Sequence, residues 1–358
     1  MSDNLRRHRA IKDHLLQLCP KASGRQRQHL SVLAALISGI VGSRHSHLPA
    51  IAAKVPQGIK RESQVKRFYR WLKKEQPDYQ VVFAPFAQAL LSSLAHSPLV
   101  LVIDASQVGQ GGMALLLNVV YQGRALPLGW LVIKAKKGHL AEKYHIALLK
   151  QVKPLVPVGS QVIFLGDGEF DGCRLLRRLD YYGWQYVCRT AKNSLLWLGD
   201  DCCSFARLAV EPGRLVSLAD VAFSKAEYGP VLAIALWQAT YQEPLYLVSN
   251  LELAQEAVWY YRKRFRIETF FSDSKSRGFR LDKSHLSEPK RLERLLLAAC
   301  LAYLWIVYLG TVALAEGWHK VIHRTERCDL SLFNLGLNLL EHFLNEQMPL
   351  PVAFIPLC

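Results

Sequence analysis

The sequence predicts an α/β protein flanked by helical units, and three observations predict it. Between residues 99 and 189, apolar runs bounded by turn residues follow the order strand, strand, strand, helix, strand, helix, strand. Ahead of them lie short segments with apolar residues at helical spacing, and behind them two long apolar helices. At 358 residues and 51% apolar content, the chain can form one large packed domain with appendages or two to three smaller ones.

Residues 25–40 form the first predicted helix, with Leu30, Leu33, Leu36 and Ile37 at helical spacing. Residues 48–55 form a short second helix after the Gly42 break. In the third, 62–74, Val65, Phe68 and Leu72 line one face while Lys66, Arg67, Arg70, Lys73 and Lys74 cover the rest. Three short helices with one basic face resemble a DNA-binding unit of helix-turn-helix type, expected over 1–78. A linking helix is expected within 79–97. Strands follow at 99–103, 113–121 and 126–134, the last two as a hairpin around Gly123. Then come a helix at 141–156, a strand at 161–165, a helix at 171–181 and a strand at 185–189.

A three-strand meander followed by alternating helix and strand is the order of a ribonuclease H-like core, although the pattern leaves the sheet order open. Its first part is expected over 98–190. Residues 191–245 read as a β-rich insertion, with short pieces at 205–210 and 231–240. The second part of the core follows over 246–316, and a C-terminal helical region over 317–358.

The net charge is +16 and unevenly placed: residues 1–75 hold sixteen Lys and Arg against four acids. Such an excess points to a polyanionic partner, most simply nucleic acid. The eight cysteines include no CxxC pair and no zinc-site spacing, consistent with reduced thiols in a cytosol. The N-terminus is charged and lacks an apolar signal core. Residues 295–315 are an uncharged run of 21, long enough to cross a bilayer. A helix buried against the main sheet is the expected reading, with no membrane partner.

Three carboxylates stand out. Asp104 follows the run LVLVI and is the only acid between Asp78 and Glu142. An ionised carboxylate at the end of a buried strand is costly unless a metal or cation compensates it. Asp167 repeats the arrangement after QVIFLG, whereas Glu169 and Asp171 lie where the next helix starts and suit its dipole. If the two strands are neighbours, both carboxylates emerge at one sheet edge. Glu268 lies in YRKRFRIETFFSDSK, residues 261–275. On a regular helix Tyr261, Arg264, Glu268 and Lys275 share an arc of about 60°. Three hard oxygen ligands suit Mg²⁺, and two such ions serve in-line displacement at phosphorus.

The spacing of Tyr261, Arg264, Glu268 and Lys275 resembles the YREK motif of the DDE transposases of insertion-sequence family 4. Asp104-Ala105-Ser106 and Asp167-Gly168-Glu169-Phe170 are similar to that family's two aspartate motifs. The resemblance covers nearly the whole chain. It implies a ribonuclease H-like catalytic domain and cut-and-paste transposition in the cytoplasm of a bacterium, at the nucleoid. It also implies Asp104, Asp167 and Glu268 as catalytic residues and ligands of Mg²⁺, for which Mn²⁺ substitutes. Tyr261, Arg264 and Lys275 would grip the backbone of a transposon end, with Lys66, Arg67 and Arg70 as further DNA-binding residues. Terminal inverted repeats and target DNA are the implied partners, with a homodimer in the synaptic complex. Members of the family often cut through a DNA hairpin with an aromatic residue stacked on a flipped base; Trp237, Tyr246 and Trp259 are candidates, but each reads first as a core aromatic and none is assigned the role. One departure is local: many relatives have Asp-Arg-Gly-Phe where this chain has Asp167-Gly168-Glu169-Phe170. Two other readings of the same residues are a DNA-binding regulator that no longer cleaves and a ribonuclease H-like nuclease without strand transfer.

Overall fold

The computed structural model describes residues 2–56, 58–74, 78–135, 140–324 and 327–357. Four helices open the chain: α1 (Asp3–Leu18), α2 (Gly24–Ser43), α3 (Leu48–Ala53) and α4 (Arg61–Lys73). The first was not expected. Its buried stripe is Arg7, Ile11 and Leu15, so one of its three inward positions is a cation. The Arg7 guanidinium donates to Ser38 O at 2.9 Å and Asn4 Oδ1 at 2.9 Å, and burial lowers its pKa to about 10. Arg6 donates to Leu344 O at 2.7 Å. Two of the N-terminal cations are therefore structural, and the basic surface is smaller than the composition indicates. At the start of α2, Ser23 and Gln26 form a reciprocal capping box. A turn of π-helix (Tyr79–Phe83) leads into α5 (Ala84–Leu94).

Ten strands form one mixed sheet in the order β3-β2-β1-β4-β5-β10-β9-β8-β6-β7. They are β1 (Leu99–Val108), β2 (Gly112–Tyr121), β3 (Arg124–Lys134), β4 (Val162–Gly166), β5 (Gln185–Thr190), β6 (Leu195–Leu198), β7 (Asp201–Ser204), β8 (Leu215–Phe223), β9 (Tyr228–Leu236) and β10 (Leu245–Ser249). β1 runs antiparallel to β2 and parallel to β4, which is parallel to β5. Continuous apolar runs suit these strands because helices cover both faces. Gly129 lies against Leu148 and Val152 of α6 (Glu142–Val152), while the next residue, Trp130, donates from the other face to Glu293 O at 3.2 Å on α10 (Pro289–Ala315). The outer edge of β3 is closed by side chains: Tyr79 Oη donates to Leu128 O at 2.6 Å, and Glu293 Oε1 accepts from Val132 N at 2.9 Å.

β6 to β9 do not form a separate layer; through β10 they extend the main sheet. The stretch expected as a strand at 205–210 begins instead with a short 3₁₀ turn, Phe205–Arg207. The remaining helices are α7 (Cys173–Tyr181), α8 (Ala254–Tyr261), α9 (Arg266–Ser274), α11 (His319–Ile322) and α12 (Leu332–Asn345). The apolar run within α10 is buried inside the protein, 94% of its most apolar window being covered. α12 crosses α10 closely, since a Cβ on Gly336 would overlap the carbonyl of Ile306. The seven cysteines among the described residues are unpaired; Cys358 lies outside them.

Candidate active site

The parallel pairing of β1 and β4 builds the site. Val102 is in register with Leu165, and two residues further along each chain stand Asp104 and Asp167. β4 ends at Gly166, whereas β1 continues to Val108 against β2 alone. Asp104 is thus inside its strand rather than at its end, because the β2 hairpin keeps β1 paired beyond the point where β4 stops. The open place lies outside the carboxyl end of a parallel strand, where α/β sheets commonly bind ligands.

The turn after β4 sorts its three acids. Gly166 permits Phe170 to fold back, since a Cβ there would meet Phe170 Cβ at 2.5 Å. Phe170 N donates to Asp167 O and Glu169 N to Asp167 Oδ1, both at 3.0 Å. Glu169 turns toward α6: its Oε1 accepts from Leu140 N and lies 3.6 Å from His145 Nε2. Asp171 accepts from Thr190 Oγ1 at 2.7 Å.

Asp104 is held in a strained electrostatic setting. Burial above all, then the charge of Asp167, pushes its pKa up to about 6, against the opposing effects of Ala105 N and Arg264. Its Oδ1 accepts from Ala105 N at 2.7 Å, and its Oδ2 lies 3.5 Å from Arg264 Nη1. Arg264 Nη2 lies 3.6 Å from Glu268 Oε1, so one buried guanidinium stands between the two carboxylates.

The segment that carries Arg264 is not one regular helix. Between α8 and α9 the chain tightens into a 3₁₀ turn, Arg262–Phe265, and Lys275 follows the last turn of α9 outside helical geometry. The four residues nevertheless reach one region. Buried Tyr261 has its pKa pushed up to about 12 by desolvation, opposed by Arg264 and Arg189. Lys275 Nζ donates to Ser106 Oγ, two residues beyond Asp104 on β1. Ser106 and Arg189 were not singled out from the sequence; Ser106 was signalled only as the last letter of Asp104-Ala105-Ser106.

Glu268 is the least gathered. Its side chain is 60% exposed and turned to Arg264, and among the described residues no three acidic, His or Cys side chains stand close enough to cage a metal. The donors still fit a hard divalent cation. Two adjacent carboxylates, one held near pH 6 by burial and repulsion, form a site whose charge such an ion would offset.

Lys66, Arg67 and Arg70 lie apart from this group on α4. Lys66 and Arg70 are exposed; Arg67 is half-buried, with its pKa lowered by burial and then by Arg70. Of the candidate stacking aromatics, Trp237 and Tyr246 are half-buried, and Trp237 donates to Tyr241 O at 3.0 Å. Trp259 is 54% exposed, with Lys263 Nζ 3.3 Å from its ring centroid, so it is not a core residue.

Residues 97–305 match the family model of the transposase DDE domain. That is more than half of the chain, and the protein belongs to this family. It is an enzyme of the DDE transposase class, whose members generally use divalent metal ions. Among solved structures it is similar to a piggyBac transposase in a synaptic complex with hairpin DNA, determined by cryo-electron microscopy. The TM-score is 0.47 at 10% identity, over 97% of this chain and 82% of that one. A search of curated proteins finds no match.

Proposed function

We propose that the protein is the transposase of a bacterial insertion sequence of family 4, cutting the ends of its element and joining them to target DNA by a cut-and-paste route. The observation that carries this reading is the placement of Arg264 between Asp104 and Glu268, 3.5 and 3.6 Å away, beside Asp167, which directly follows the strand paired with that of Asp104. The order β3-β2-β1-β4-β5, with β1, β4 and β5 parallel, supports a ribonuclease H-like core. Residues 1–78 are its DNA-binding unit, with Lys66, Arg67 and Arg70 on the backbone. Residues 79–97 link it to the core, which spans 98–190 and 246–316 around the insertion at 191–245, and 317–358 are the C-terminal helical region.

In this reading Asp104, Asp167 and Glu268 hold Mg²⁺, with Mn²⁺ able to substitute. When bound, the ions neutralise charge at the scissile phosphate and favour in-line displacement. Arg264 offers a forked pair of donors to phosphate oxygens, Lys275 a point charge and Tyr261 a hydroxyl donor. These groups hold the strand so that water attacks phosphorus and the bond to the 3′ oxygen breaks. The released 3′-hydroxyl then attacks a target phosphodiester. Synapsis of two ends requires two copies, hence a homodimer on DNA, acting at the nucleoid.

The test is purified protein with Mg²⁺ and DNA bearing the element's own terminal inverted repeats. Excision with insertion is the expected result. Binding without cleavage would indicate a regulator, and cleavage without joining a nuclease.

A further inference from the structure

Two helices leave the active-site end of the sheet side by side. β3 is parallel to β1, because both are antiparallel to β2. α6 therefore starts from the same end of the sheet as α7, which follows Asp167, and both run back along one face. They touch through Glu142, whose Oε1 accepts from Leu175 N at 2.8 Å.

Their outward faces carry one sign of charge. On α7, Leu175, Leu176 and Leu179 are buried, while Arg174, Arg177, Arg178 and Tyr181 fall at i, i+3, i+4 and i+7 on the opposite face. α6 and the short turn after it present Lys143, Lys150 and Lys153. The acids of the two helices are engaged elsewhere: Glu142 caps α7, and Asp180 takes Tyr228 Oη on one oxygen and Asn250 Nδ2, at 3.0 Å, on the other. The adjoining turn between β8 and β9 adds one cation, Lys225, and one anion, Glu227.

Idle helix faces mix signs, and like charges at i, i+3 and i+4 repel. Aromatic rings are interleaved with these cations. Arg178 Cζ lies 5.4 Å from the ring of Tyr181, itself 78% exposed, and 5.8 Å from that of Tyr182; Lys153 Nζ lies 5.7 Å from Tyr182. From Arg174 to Tyr181 the stripe runs about 10 Å at 1.5 Å per residue, about three base pairs of duplex.

We propose that the paired outer faces of α6 and α7 bind the phosphate backbone of duplex DNA that continues away from the catalytic carboxylates. The inference rests on the transposase reading for its substrate, but not for its measurement. The test is binding of a duplex of unrelated sequence by the full chain across a salt series. In the triple variant Arg174→Ala, Arg177→Ala, Arg178→Ala, the slope of log K against log salt is expected to become less steep by about 2 to 3. The corresponding triple lysine variant is expected to keep the parental slope. An unchanged slope in the alanine variant would overturn the proposal, and so would an equal loss in the lysine variant, which would mark a structural rather than an electrostatic effect. Cleavage of the element's end by the unaltered protein is scored separately, so its absence would remove the transposase reading without touching the slope comparison.

Discussion

Arg264 reaches from the turn before α9 to Asp104 on β1, Nη1 lying 3.5 Å from Oδ2, while Asp167 raises the pKa of the same carboxyl from just past the end of β4. A cation and an anion thus compete for Asp104 inside a poorly solvated mouth.

That competition has a sign that can be measured. Asp104 titrates at about 6 in the folded chain against 3.8 for the ordinary side chain. The folded state binds the extra proton between these values, so stability falls as pH rises through that window, and the full penalty is present above 6. In metal-free protein, Asp104→Asn is expected to raise stability by about 2 kcal/mol at pH 7.5. The gain should shrink below pH 6 and vanish near pH 4. Chemical denaturation at several pH values checks this, and a pH-independent gain would count against it.

Removing the cation should move the same group further. In Arg264→Gln the pKa of Asp104 is expected to rise above its parental value, because the opposing charge is lost while burial and Asp167 remain. Carboxyl-carbon NMR of the two proteins reads the shift directly.

The N-terminal unit is expected to act through exposed charge. Lys66→Ala with Arg70→Ala should weaken binding to the element's end and make the salt slope less steep by about 2, leaving cleavage at saturating protein unchanged. Loss of cleavage under saturation would place these residues in another role.

The close crossing of α10 and α12 makes a stability prediction. Gly336→Ala puts a Cβ into the carbonyl of Ile306 and the amide of Gly310, and is expected to cost about 1–3 kcal/mol. A urea unfolding midpoint measures it.

Much of the sheet was legible because β2, β4 and β5 are apolar runs with clear ends, whereas β1 runs on past its apolar stretch through Asp104 to Val108. Their order was not, since pattern alone does not pair strands, and that order makes Asp104 and Asp167 neighbours. β6 and β7 escaped notice because Leu195–Leu198 and Asp201–Ser204 are short, and β7 is polar. α1 escaped because Arg7 occupies an inward position where an apolar residue would have revealed the stripe. The residues from Tyr261 to Lys275 were legible by spacing, while the 3₁₀ turn at Arg262–Phe265 has no Gly or Pro to announce it. Regular helical geometry therefore placed these side chains on one face for a reason the backbone does not follow. They meet because the turn aims Arg264 at Asp104 and the end of α9 aims Lys275 at Ser106.

The central claim is that Glu268 joins Asp104 and Asp167 in catalysis although it is turned to Arg264 and 60% exposed. The most direct measurement is single-turnover cleavage of a terminal-repeat duplex by Glu268→Ala in Mg²⁺, with binding of the same duplex followed in parallel. The expected result is parental binding with no detectable cutting. Cutting at the parental rate, or loss of binding together with cutting, would contradict the assignment of Glu268 as a metal ligand.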